Sequence, residues 1–264
     1  MIDVHCHLNF KSFDKDVDAV IKRAQEKGVT TIINVGTQIS SSKKAVELSE
    51  KYENLYAIVG VHPHHADKPD DNWLEELEKL AKHPKVVGIG EIGMDFYNYK
   101  SNGIVNPELQ REVFIKQIEL SLKLKLPLQI HNRQGGVEIL KVIEQYKSEL
   151  LDTPGMFHCM SGDLDFLKEV LDLGFYVGFD GNISYPGIAP GETTELYKLV
   201  EYAPLQRIVV ETDSPFLPPE PYRGKRNEPS YAIIVGEIIS RIKKAPFEEV
   251  EAVTEKNSKF LFKL

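Results

Sequence analysis

The residues Asp3, His5 and His7 stand within the first strand-like run of the chain, "MIDVHCHLNF". Residues two apart in a strand share a face, so Asp3, His5 and His7 are expected to look one way and Ile2, Val4 and Cys6 the other. Two imidazoles fixed on one face can each aim a nitrogen at one point, the geometry a divalent cation asks of histidine ligands. A pair at this spacing also suits polar residues satisfied at a strand end, so the rest of the chain has to decide. His62 and His64, Glu91, His131 and Arg133, His158, and Glu211 and Asp213 each close a later apolar run in the same way. Only His65 and His83 of the eight histidines fall elsewhere. Four imidazoles (His5, His7, His131, His158) and two carboxylates (Glu91, Asp213) exceed the needs of one tetrahedral ion, which points to two divalent ions bridged by the two oxygens of Glu91. Two such ions outweigh two carboxylates in charge and favour an anionic ligand; a phosphodiester fits. The ions would make hydroxide from water at neutral pH and stabilise the attacking and leaving oxygens of an in-line displacement. A carboxylate beside that water, Asp213, can orient it and accept its proton.

These residues need a frame that brings distant run ends together. The apolar runs are "IDVHCH", "TTIINVGT", "LYAIVGVHP", "KVVGIGEIG", "LPLQIHNR", "GMFHCM", "GFYVGFDGN" and "RIVVETDSP", each followed by a helix-like stretch such as "PELQREVFIKQIELSLKLK". Repeats of about thirty residues, with strands too apolar for one-sided burial, match an α/β (β/α)8 TIM barrel, typically ~250 residues long. The segment "PFEEVEAVTEKNSKFLFKL" reads as a closing C-terminal helix, and residues 1–264 as a single domain without linker or repeat beyond the βα unit. Active sites in this fold gather at the C-terminal strand ends, where the polar residues fall. Strand parity then pairs Ile89 with Glu91, Gln129 with His131, Met156 with His158, and Glu211 with Asp213 on shared faces.

Composition narrows the partners. With 32 Lys and Arg against 40 Asp and Glu, the net charge of -8 disfavours charge-driven coating of nucleic acid or an acidic membrane, so a nucleic-acid substrate must be drawn in locally. No run is long enough to span a bilayer, and no obligate protein partner is implied. Two cysteines in 264 residues, and strand-like sequence from the second residue onward, lead to the expectation of a reducing, cytoplasmic setting.

The chain resembles the TatD family of metal-dependent deoxyribonucleases among the amidohydrolase-like barrels. The likeness is carried by "DVHCH" (3–7), "GVHPH" (60–64), "GIGEIGMDF" (88–96), "IHNR" (130–133), "FHCMSG" (157–162), "ETDSPFLPP" (211–219) and "YRGKRNEPSY" (222–231). The resemblance implies one ion on His5, His7 and Asp213, another on His131 and His158, and Glu91 bridging. It also implies that His62, Arg133 and Glu211 form the substrate-contacting and supporting layer, with Glu211 beside Asp213 and Glu91 in the catalytic set. The implied activity is 3′ to 5′ removal of nucleotides from DNA, single-stranded or at a 3′ end. Met94 and Met160 stand where leucine and phenylalanine are common, and both swaps are mild. Gln134 stands where an aspartate often follows the arginine, which removes one expected partner of Arg133.

Other residues are read more plainly. Parity turns Cys6 and Cys159 away from the ligands, toward packing against helices. Phe96, Tyr97 and Tyr99 either stack bases or pack their own loop. Arg223, Lys225 and Arg226 crowd the loop after the eighth run, stiffened by prolines, and at least one of them with Arg133 is expected to grip phosphates. Softness favours zinc, manganese or nickel over magnesium, while availability keeps magnesium among the candidates. Hydrolysis of an ester or amide by the same ions is the alternative, which Glu91 in place of a bridging lysine disfavours. A non-catalytic metal-stabilised binder is disfavoured by the open rim.

Overall fold

The computed structural model describes residues 1–100 and 103–264. Eight strands lie in sequence order in one sheet, and every neighbouring pair is parallel. They are β1 (Ile2–Cys6), β2 (Thr31–Val35), β3 (Leu55–Val59), β4 (Val86–Asp95), β5 (Leu128–Arg133), β6 (Gly155–Phe157), β7 (Tyr176–Phe179) and β8 (Ile208–Val210). Just past β8 the chain returns to β1: the Asp213 N–H donates to the His5 carbonyl at 2.9 Å and the His7 N–H to the Ser214 carbonyl at 2.7 Å. These bonds close the seam, so the fold is the expected (β/α)8 barrel.

Helices α1 (Val17–Glu26), α2 (Ile39–Lys51), α3 (Trp73–Ala81), α4 (Pro107–Leu124), α5 (Gly136–Gln145), α6 (Leu164–Asp172), α7 (Leu196–Tyr202) and α8 (Ala232–Lys243) follow the strands in turn. Local signals start them: Asn106 caps α4 by accepting from the Glu108 N–H at 2.8 Å ahead of Pro107, and Asp163 caps α6 from the Phe166 N–H at 2.8 Å. The last helix, α9 (Phe247–Phe262), closes the barrel bottom. Its Asn257 Nδ2 donates to the Leu205 and Ile208 carbonyls at 2.9 and 2.7 Å, and Leu261 and Phe262 pack on the inner apolar cluster. No helix among the described residues is long and apolar enough to cross a membrane.

The core has two layers, and they correct the expected parity. Ile2 and Val4 join Ile33, Val35, Ile58, Met156 and Val209 in the cluster inside the barrel, whereas Cys6 and Ile89 pack in the larger layer shared with the helices. Uninterrupted alternation would put Cys6 with Val4 and Glu91 with Ile89. The pairing register shifts between Asp3 and Cys6 in β1, and between Ile89 and Ile92 in β4. A bulge of this kind adds a residue and reverses which side chains face in. Both shifts lie where a strand must turn from apolar lining to ligand presentation.

Candidate metal centre

His5, His7, Glu91, His131, His158 and Asp213 meet at the C-terminal mouth of the barrel. Glu91 is buried in the middle. Its Oε1 lies 2.8 Å from His131 Nδ1, 2.8 Å from His158 Nε2 and 3.3 Å from His62 Nε2. Its Oε2 faces the other way, 3.8 Å from His5 Nε2 and 3.7 Å from His7 Nε2. Asp213 Oδ1 stands 3.5 and 3.4 Å from the same two nitrogens, which are themselves 3.1 Å apart. Neighbouring donors on one tetrahedral ion with bonds of 2.0–2.1 Å are separated by roughly 3.3 Å. The residues therefore fit a divalent metal, and each Glu91 oxygen belongs to a different donor group.

Hydrogen bonds on the far side of two rings select the nitrogens that point inward. His7 Nδ1 lies 2.9 Å from the Val35 carbonyl, which accepts a hydrogen bond from the Nδ1–H and so leaves Nε2 with the lone pair. His131 Nε2 lies 3.1 Å from Asp95 Oδ2, so Nδ1 is the atom free to ligate. Asp95 also accepts from the Tyr99 hydroxyl and the Tyr97 N–H, both at 3.0 Å, and His64 Nε2 lies 2.9 Å from it. Asp95 stands within "GIGEIGMDF", and its signal in the sequence is an aspartate four residues after Glu91 in the same apolar run. A Cβ at Gly93 would collide with the His131 carbonyl oxygen, so the glycine permits the close approach of β4 that sets Asp95 against His131.

Burial and charge set the protonation. Burial alone would raise the Glu91 carboxyl, but the surrounding His62, His158 and His131 hold it well below the usual carboxylate range. Burial would likewise lower His131, yet its contacts with Asp95 and Glu91 push it up to about 9. His5 is driven well below its ordinary value by burial and by the neighbouring His158, and His62 falls to about 4, chiefly by burial. The carboxylates that favour a proton on His131 favour a cation there equally.

The other expected residues divide. His62 sits among the donors, grouped with Glu91 and His131, and also lines the cavity. Glu211 is fully buried behind His158, with His158 Nδ1 3.9 Å from its Oε1, and it accepts the Cys159 N–H. Burial, with Asp180 and Asp213 nearby, holds its carboxyl well above the usual range. It does not line the cavity, and it groups with His5 and His158 within ligating reach of one another. Cys159 was expected to pack against helices. Instead it lines the cavity, because its backbone is left-handed (φ +45°) just past the end of β6 and no longer follows strand alternation. Phe96 packs on the core, whereas Tyr99 lines the cavity.

The cavity above the donors has a volume of about 760 Å³. Arg133 lines it, with its guanidinium 4.2 Å from the Tyr97 ring centre and 5.4 Å from that of Tyr99. Arg223 lines it too, 4.2 Å over Tyr185. Lys225 and Arg226, expected beside Arg223, are not among the lining residues. Arg226 turns outward because Asp16 offers both oxygens, at 2.8 and 2.6 Å, with Glu228 at 3.0 Å and the Phe13 ring beneath. It braces the loop against α1. Lys225 lies over the Tyr222 ring at 5.5 Å.

Comparison with known proteins identifies the family. Residues 2–263 match the family described as TatD related DNase. The chain is 35% identical to the uncharacterized metal-dependent hydrolase YabD of Bacillus subtilis (strain 168), covering 100% of this chain and 99% of that protein. It is 33% identical to the uncharacterized metal-dependent hydrolase YcfH of Escherichia coli (strain K12), over 99% and 95%. The crystal structure of YjjV, a TatD homolog from Escherichia coli, superposes with a TM-score of 0.90 at 28% identity, covering 100% of this chain and 98% of that one. With the family matched over residues 2–263 and relatives more than 30% identical along the whole chain, the chain belongs to the TatD family of metal-dependent hydrolases.

Proposed function

We propose that the protein is a deoxyribonuclease that holds two divalent ions and removes nucleotides from the 3′ end of single-stranded DNA. The observation that carries the two-ion reading is the division of Glu91, one oxygen toward His131 and His158 and the other toward His5 and His7. Ions bound there supply Lewis acidity toward a phosphodiester and make water more acidic. Asp213 Oδ1 turns to the histidines, and with ions bound its carboxylate would orient the attacking water and accept its proton. Arg133 and Arg223 line the same cavity and offer planar donors to the scissile phosphate and to the next phosphate on its 5′ side. The 3′ to 5′ direction rests on the family resemblance.

The test is one panel: labelled single-stranded DNA, a chromogenic phosphodiester, a carboxyl ester and a dipeptide, each with metal and with chelator. DNA is expected to shorten from its 3′ end only with metal, and elemental analysis to approach two equivalents per chain. Asp213→Asn is expected to lower turnover by roughly 10²- to 10⁴-fold. Turnover of the ester or dipeptide without DNA cleavage overturns the nuclease reading, and a plateau at one equivalent overturns the two-ion part.

A further inference from the structure

Phe216 is half exposed (50%), yet its backbone is pinned. Its N–H donates to the Asp213 carbonyl at 2.8 Å, and its own carbonyl accepts from Nδ2 of the buried Asn227 at 2.6 Å. The Asn227 N–H in turn holds the Pro215 carbonyl at 3.1 Å. An apolar ring thus stands in a fixed place on the cavity wall, three residues after a proposed metal ligand. It meets Phe10 edge to face, with centres 6.2 Å apart at 74°, and Phe10 stacks on His7 at 4.4 Å and 10°. These rings form an aromatic ladder leading from the donor group to the open cavity.

A single exposed apolar side chain is ordinary on a protein surface. This one differs by its neighbours. Tyr97 and Tyr99 carry the Arg133 guanidinium, and Tyr185 carries that of Arg223. The tyrosine walls are therefore capped by cations suited to phosphate, while no cation–ring contact is found at Phe216 or Phe10 among the described residues. A cavity with cationic walls and one bare aromatic wall matches the two halves of a nucleotide, an anionic phosphate and a flat apolar base.

We propose that Phe216, backed by Phe10, is the stacking platform for the base of the nucleotide being removed, and so determines specificity for base-bearing strands. This rests on the nuclease reading above. Every base has a π-face, so such a platform accepts all four bases while discriminating against a residue that lacks one. Phe216 contributes through substrate contact and leaves the donor set untouched.

The experiment is a cycle of two enzymes and two substrates. Wild type and Phe216→Ala, both loaded with metal, act on single-stranded DNA whose 3′-terminal residue is either a normal nucleotide or a tetrahydrofuran abasic residue. On normal DNA, Phe216→Ala is expected to raise KM by roughly 5- to 150-fold, the span of one base–aromatic stack. The abasic substitution is expected to cost wild type a similar factor, and Phe216→Ala to add nothing further on the abasic strand. Phe216→Trp should restore the low KM while Phe216→Leu, of similar bulk, should not, and metal content should be equal in all four proteins. Equal losses for Phe216→Ala on normal and abasic strands, or full activity for Phe216→Leu, overturn the inference alone. A wild type that cleaves no DNA but turns over the ester overturns the nuclease reading, and the inference with it.

Discussion

Asp95 touches the metal centre only through His131, and that contact decides which nitrogen of the ring is available. With Nε2 held at 3.1 Å by the carboxylate, Nδ1 is the atom directed at Glu91 Oε1. A partner of this kind fixes tautomer and ring orientation and typically changes metal affinity by 10- to 100-fold. Asp95→Asn is close in size but loses the charge that favours a cation on the ring. It is expected to weaken metal binding by about 10- to 100-fold in competition dialysis against a chelator. Unchanged affinity would show that the barrel alone positions His131.

The loop after β8 separates two arginines that sit three residues apart in sequence. Arg226 ties Asp16 and Glu228 together and lies over Phe13, whereas Arg223 faces the cavity over Tyr185. Their substitutions should therefore divide cleanly. Arg226→Ala is expected to cost about 1 kcal/mol, lowering Tm by roughly 2–4 °C, without a change in the salt dependence of DNA binding. Arg223→Gln is expected to hold Tm, raise KM on DNA and flatten the log–log salt slope by about 0.7 for the lost single-strand contact. Calorimetry and salt titrations of the two variants read both effects, and an exchange of the two outcomes would reverse the assignment.

At the scale of the whole barrel, the centre gathers donors from β1, β4 and β5 and from the chain just past β6 and β8, so ligand binding links segments spread over the sequence. An ion that binds only the folded chain stabilises it by mass action, about 4.1 kcal/mol when free metal is a thousand-fold above Kd. For a chain of this size that corresponds to a rise in Tm of roughly 8–16 °C over the metal-free protein. Thermal unfolding with and without chelator measures it. Equal Tm in both states would mean that the metal binds folded and unfolded chains alike, or not at all.

The barrel and its donors were legible in sequence for a local reason: each βα unit announces itself by an apolar run followed by an amphipathic stretch, and the polar residue at a run's end stands out against it. His131 and His158 needed nothing more than their place at the end of "LPLQIH" and "GMFH". Tertiary structure alone decided what depends on a neighbouring segment. The register shifts in β1 and β4 that turn His5, His7 and Glu91 inward arise from pairing with adjacent strands, which a two-residue alternation within one strand cannot contain. Arg226 left the cavity because Asp16, 210 residues earlier in the chain, offered a bidentate partner. Asp95 acquired its role from a histidine 36 residues later, and Cys159 its place in the cavity from a left-handed backbone beyond β6. Periodicity reports which face a residue would take in an ideal element, and long-range contacts determine where the element stops being ideal.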